Sequence, residues 1–270
     1  MRRLASILAL SLVTAAATAT TTDPWDAIVG DDDGPGTDNE LVHGTIQQHD
    51  LQAQSNVEDE DWYRIGRQPY SSHEVVVDGL GQSVAVVPAV IASDQIQLHL
   101  VTAGDVQLVS SAPISSIGSS RSLRFRNTSA SEITNEYVRI RPSSNACGNQ
   151  CTATSVYRIT MRETTMFAPR FNNSGTQITV LILQNATNGF VAYTARFFSG
   201  LGTLLGTASG TLAPHGGAVI NTAGIAGLAG TSGVISIDHL APYGGLTGKT
   251  VALEPATGFS FDTLLAPRPY

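Results

Sequence analysis

Hydrophobic and polar residues alternate with a period of two along most of the chain. The runs at 41–46, 62–65, 74–77, 96–101, 106–109, 123–126, 137–141 and 156–161 all show it. Successive side chains of a strand point to opposite faces, so each run predicts a strand with one side on a core and the other in solvent. The link Thr102-Ala103-Gly104-Asp105 predicts a hairpin between two of them. A second series follows at 177–183, 191–198, 203–207, 218–221, 234–238, 249–253 and 260–264. Turn signals separate its members: Asn188-Gly189, Pro214-His215-Gly216-Gly217 and Ala241-Pro242-Tyr243-Gly244-Gly245. No stretch carries a 3.6-residue stripe of helix length. The expected class is all-β, in two sandwich modules. Seven short strands in about 100 residues give the second module immunoglobulin-like size.

The first 22 residues break the pattern. Arg2-Arg3 precede an uncharged run, apolar from Leu4 to Val13 and then rich in Ala and Thr. A charged start, a short apolar stretch and small residues at the cleavage site are the layout of a signal peptide. The apolar part falls short of the roughly 20 residues that span a bilayer. The expected mature chain is therefore secreted, extracellular or periplasmic, without a membrane span. The division expected is 1–22 signal peptide, 23–40 acidic flexible leader, 41–163 first sandwich, 164–170 linker and 171–270 second sandwich.

Charge is low and uneven. Charged residues make up 14% of 270, and the formal net charge is −7. That balance offers no basic face for phosphate neutralisation and argues against nucleic acid as a partner. Between Asp23 and Asp61 stand twelve acidic residues and no lysine or arginine. Residues 171–270 carry only Arg196, Asp238, Lys249, Glu254, Asp262 and Arg268. The only cysteines, Cys147 and Cys151, have a loop-like flank. In an exported chain they read as a disulfide closing a small loop, the alternatives being a redox pair or half a metal site.

Several segments resemble the bacterial pre-peptidase C-terminal domain. Asp38-Asn39-Glu40 stands where that family has an acidic leader, and Val42-His43-Gly44-Thr45-Ile46 resembles its first strand. Asp59-Glu60-Asp61-Trp62-Tyr63-Arg64-Ile65 is similar to its Asp-x-Asp-x-Tyr-x-Phe strand. Glu136-Tyr137-Val138-Arg139-Ile140, then Tyr157-Arg158-Ile159-Thr160-Met161, resemble its closing pair. The likeness covers roughly 31–163 and implies a jelly-roll-like sandwich without chemistry of its own. It also implies calcium near the leader in some members and insoluble polymers as ligands in others. The segments 241–249 and 254–262 resemble a C-terminal β domain of secreted bacterial proteins.

No catalytic constellation is legible. His73-Glu74 runs into three valines where a zinc helix would need a second histidine, and there is no Gly-x-Ser-x-Gly elbow. Gly200, Gly202 and Gly206 miss the dinucleotide spacing. Asp31, Asp32, Asp33, Asp38, Asp59 and Asp61 offer hard oxygen donors of the kind calcium takes, against the plainer reading of a solvated acidic leader. Trp62 and Tyr63 adjoin on one strand, so one is expected in the core and the other outward, as a sugar or partner contact or as cover for a sheet edge. Tyr243 is held on a turn at a loop tip, where binding residues are often carried. Asn127, Asn172 and Asn185 each open an Asn-x-Ser/Thr sequon. The expected function is a secreted, non-catalytic binding or accessory protein that contacts an extracellular protein or polysaccharide. The second expectation is a structural or assembly component of the envelope or matrix, and the third an unrecognised hydrolase. Alkylation without reductant should leave the intact mass of the mature chain unchanged, and reduction should expose both thiols. Labelling before reduction would exclude the disulfide.

Overall fold

The computed structural model describes residues 25, 32–52, 57–78, 96–114, 120–142, 151 and 155–268. The signal segment 1–22, Asp31 and Cys147 lie outside the described residues. The first half carries β1 (Ile46–Asp50), β2 (Asp61–Arg64), β3 (Ser71–Asp78), β4 (Ile96–Thr102), β5 (Gln107–Ser110), β6 (Ala112–Pro113), β7 (Arg121–Asn127), β8 (Glu136–Pro142) and β9 (Val156–Glu163). The second carries β10 (Met166–Asn172), β11 (Ile178–Asn185), β12 (Val191–Ser199), β13 (Leu204–Leu212), β14 (Gly217–Asn221), β15 (Ser232–His239), β16 (Leu246–Glu254), β17 (Phe259–Leu264) and β18 (Ala266–Pro267). The described residues form no α-helix, and so none that could cross a membrane.

Each half builds two antiparallel sheets. They run β1-β9-β3-β7-β6 and β2-β8-β4-β5 in the first half, β13-β12-β15-β10-β18 and β14-β11-β16-β17 in the second. Alternation places the cores. Val75, Val77, Leu98, Leu100, Val138 and Ile140 meet between the first two sheets. Leu181, Leu183, Ile235 and Ile237 pack around Phe171 and Phe197, whose rings meet edge-on at 5.4 Å. Each such aliphatic side chain contributes about 1.5–3 kcal/mol on burial. Gly233 is required where β15 crosses β12, because a methyl there would stand 1.8 Å from the Phe198 carbonyl oxygen. The hairpin at 102–105 forms as expected: the Asp105 N–H donates to Thr102 O at 3.0 Å, joining β4 to β5.

Two expectations change. The run at 41–46 is not a regular strand. Gly44 takes a positive φ of 76°, and only isolated bridges at Glu40 and His43 precede β1. The stretch 164–170 is not a free linker, because β10 begins at Met166. Pro169 hid it, and the register of β10 against β15 shifts between Ala168 and Phe171, where the missing proline N–H costs no ladder bond. The crossing itself is pinned. The Thr164 N–H donates to Ser72 O at 2.8 Å, and the Ser72 N–H donates to Thr165 Oγ1 at 2.9 Å.

All three sequons serve as turns. The Oδ1 atoms of Asn127, Asn172 and Asn185 each accept both the N–H and the hydroxyl of the Ser or Thr two residues on. Each asparagine closes a strand, and this local bonding is why Asn stands there. The buried Asn127 Nδ2 also donates to the carbonyls of Arg67, Gln68 and Ser131.

The two halves meet along a polar seam. Asp238, fully buried on β15, pairs with Arg196 of its own half and with Arg126 of the other at 3.3 Å. The guanidinium of Arg124 donates to Leu240 O at 3.1 Å, and Arg268 pairs with Glu163 at 2.6 Å. His73 and His239 are buried beside this seam. Burial, with Arg67 and Arg268 nearby, lowers the His73 pKa to about 3; burial also lowers that of His239 to about 4. Both rings are therefore neutral when folded. An unfolded chain takes up a proton at each as the pH falls through about 6.5, and the folded chain does not. Stability is full above pH 6.5 and should fall by about 1.4 kcal/mol per pH unit for each histidine below it. Urea unfolding at pH 6.5 and 5, above the main carboxylate range, reads that slope. His239→Asn should remove about half of it, and an unchanged slope would refute the assignment.

Candidate functional site

The acidic leader does not float. From Asp32 onward it lies along β2: the Trp62 N–H donates to Asp32 O at 2.7 Å, the Arg64 N–H to Asn39 O at 2.8 Å, and the Leu41 N–H to Arg64 O at 3.0 Å. The open edge of β2 supplies these partners, and this docking buries Asp32 and Asn39. The expectation of a flexible leader through residue 40 is corrected for this stretch.

Docking brings Asp32 to a cluster built by two sheet edges. His49 comes from β1, where it sits opposite Tyr157 of β9. Asp61 and Tyr63 come from β2, two residues apart and so on one face. Asp32, His49 and Asp61 are all buried, and one donor atom from each lies within 4.8 Å of the others. The Tyr157 hydroxyl donates to Asp61 Oδ2 at 2.5 Å, and the Tyr63 hydroxyl donates to Tyr157 at 2.5 Å. Burial, followed by the Asp61 charge, raises the Tyr157 pKa well above 10, so it remains a donor. The His49 ring stacks on Tyr157 at 5.8 Å and meets Tyr63 edge-on at 5.1 Å.

Of the acids expected to offer calcium ligands, Asp32 and Asp61 join this cluster. Asp33 and Asp38 face solvent, and Asp38 stands 3.9 Å from the exposed Arg64. Asp59 is buried outside the three, and Asp31 lies outside the described residues. Sequence reasoning had Asp32 and Asp61 among its acids and missed His49. The available signal was the same-face spacing of Gln47 with His49 and of Asp61 with Tyr63.

The expected contact aromatics move too. Tyr63 points into the cluster. Trp62, expected outward if Tyr63 is inward, is buried as well, with the Tyr137 ring edge at 5.8 Å and the Arg139 guanidinium 6.0 Å from its ring. Both neighbours stand on β8, the strand paired to β2. Tyr243 stands at the seam and stays 42% exposed: its backbone N–H donates to Glu74 Oε2 at 2.7 Å, and Arg162 lies 4.7 Å over its ring. Cys151 is buried against the first core, and no cysteine among the described residues is free.

A second feature is a surface. In the sheet β14-β11-β16-β17, Leu181 and Leu183 point to the core, so Ile178, Val180 and Ile182 point out. Register carries that outer face to Val219 opposite Ile182, Val251 opposite Val180, Leu253 opposite Ile178 and Leu264 opposite Lys249. Val219 is 74% exposed and Leu264 75%. The outer face carries one ion pair at its centre, Lys249 with Asp262.

No family model matches the chain, and no curated protein matches it. Among solved structures it aligns with a beta-glucuronidase of Bacteroides uniformis at 10% identity, over 84% of this chain and 35% of that one, with a TM-score of 0.20. It aligns with a glycosyl hydrolase family 2 member of Bacteroides cellulosilyticus at 10% identity, over 88% and 30%, again with a TM-score of 0.20. The chain thus spans about a third of each, and likeness at that level carries neither fold nor activity.

Tyr157→Phe should destabilise the first half by about 1–3 kcal/mol, because a buried carboxylate loses a donor. Tyr63→Phe should cost less, since Tyr157 keeps its bond to Asp61. Urea midpoints compare the two, and equal effects would contradict the relay.

Proposed function

We propose that the protein is an exported, non-catalytic binding or accessory protein whose contact surface is the outer face of the β14-β11-β16-β17 sheet. The observation that carries the reading is the aliphatic character of that face. One side of an antiparallel sheet in a sandwich is ordinarily polar, and here Val219 and Leu264 stand about three-quarters exposed beside Val180, Ile182 and Val251. Contiguous apolar surface of this kind marks interaction sites. Aliphatic branches without an aromatic platform suit a protein or apolar surface better than stacked sugar rings. The signal-peptide layout of residues 1–22 supports export, and the burial of Trp62 and Tyr63 shifts the surface away from those two residues.

The assembly reading draws on the same face, because a single Lys249–Asp262 pair leaves little charge to oppose a second copy. Light scattering of the mature chain separates the two, alongside pelleting with cellulose, chitin, peptidoglycan and intact cells. The expected result is a monomer retained by one of these surfaces and released by Val219→Asp with Leu264→Asp. A concentration-dependent oligomer dispersed by that variant, without retention, favours assembly. Retention that survives the variant refutes the surface, and hydrolase turnover abolished by a single carboxylate mutation refutes the non-catalytic reading.

A further inference from the structure

The cluster at the docked leader has the composition of a ligand set. Asp32, His49 and Asp61 offer two carboxylates and one imidazole, buried together within 4.8 Å. Two further side chains point the same way. Asn39 is fully buried, and its amide abuts the cluster with Nδ2 3.2 Å from Asp32 Oδ2; its Oδ1 meets no donor among the described residues. Gln47 fixes the histidine. Its Nε2 donates to Glu40 O at 2.7 Å, which turns its Oε1 to His49 Nε2 at 3.0 Å. An acceptor there requires the proton on Nε2. Nδ1, 4.0 Å from Asp32 Oδ2, is then the nitrogen that faces the carboxylates and the one a metal ion would take. A ligating histidine typically has its other nitrogen held in this way by an acceptor.

We propose that Asp32, His49 and Asp61 bind a divalent metal ion that accepts imidazole, of the zinc type, with Asn39 Oδ1 as a fourth donor after rotation of its amide. Calcium prefers six to eight oxygen ligands, and this set supplies fewer, one place being taken by nitrogen. Donors at about 2.0–2.2 Å from a tetrahedral ion stand roughly 3.3–3.6 Å apart, so side-chain shifts of up to about 1 Å close the set. Tyr157 fixes the rotation of Asp61 from outside the ligand set. The site belongs to the first half, and its existence does not depend on the sheet-face reading.

The test uses the full mature chain with its cysteines left oxidised. After dialysis against a chelator, the protein is titrated with Zn2+ and with Ca2+, and retained metal is counted by mass spectrometry. One equivalent of Zn2+ is expected, bound at least about tenfold more tightly than Ca2+, with a rise in the melting temperature. His49→Gln should weaken Zn2+ at least about tenfold. His215→Gln, at an exposed turn, should leave it unchanged. Asp61→Asn is a further ligand variant, and where it fails to fold the near-isosteric His49→Gln, checked by circular dichroism, decides. Cobalt substitution should give visible bands that His49→Gln shifts. No retained Zn2+, unchanged Zn2+ affinity in His49→Gln, or tighter binding of Ca2+ than of Zn2+ would each overturn the proposal.

Discussion

Asp238 has no access to solvent, and its charge must be matched by groups that fold around it. Arg196 does so from the neighbouring strand β12, and Arg126 does so from the other half of the molecule. Removing one partner of a buried pair leaves a charge that costs about 3–5 kcal/mol, so the seam is strongly specified. Glu74 is the reciprocal case. It is buried in the first half and accepts from Ser122 at 2.5 Å and from the Tyr243 N–H of the second. Each half thus buries an acid that the other half helps to satisfy.

That constraint explains the charge distribution. Residues 171–270 hold six charged side chains. Arg196, Asp238 and Arg268 sit at the seam, Lys249 and Asp262 neutralise each other, and Glu254 accepts from Thr176 at 2.5 Å. Low charge elsewhere leaves the outer sheet face aliphatic. Tyr70 shows the seam's cost: it takes a positive φ of 52° and places its ring 4.4 Å from the Arg196 guanidinium and 5.8 Å from Phe198. A left-handed aromatic residue is strained, and the surrounding contacts hold it there.

Alternation made most strands legible because each has one face on a core. β4, β8, β9, β12 and β17 fall within a few residues of their runs. It failed where backbone bonding decides. Pro169 masked β10, since a proline inside a run ordinarily argues against a strand and here sits at a bulge. Gly44 broke a run that otherwise alternates. Trp62 and Tyr63 obeyed alternation and still defeated the expectation of an outward ring, because Tyr137 and Arg139 cover the second face. Burial on both sides depends on neighbours across the sheet, which period two does not report.

The cluster was half legible for a related reason. The acid run and the Asp61-x-Tyr63 spacing are local, but the choice of Asp32 over Asp33 or Asp38 follows from which leader carbonyls meet the edge of β2. Once Asp32 O accepts from Trp62 N–H and Asn39 O from Arg64 N–H, the intervening turn sends Asp32 inward and leaves Asp33 and Asp38 in water. His49 enters by register with Tyr157, more than a hundred residues along the chain, which only the fold brings beside it. Leader docking and the cluster are therefore linked thermodynamically. Whatever cation or proton stabilises Asp32 beside Asp61 stabilises the docked leader by the same free energy, and a leader held in place by its backbone bonds presents Asp32 already desolvated. The backbone edge of β2 and the buried carboxylates act on one equilibrium, which is why a stretch with the composition of a disordered tail is ordered at this end of the molecule.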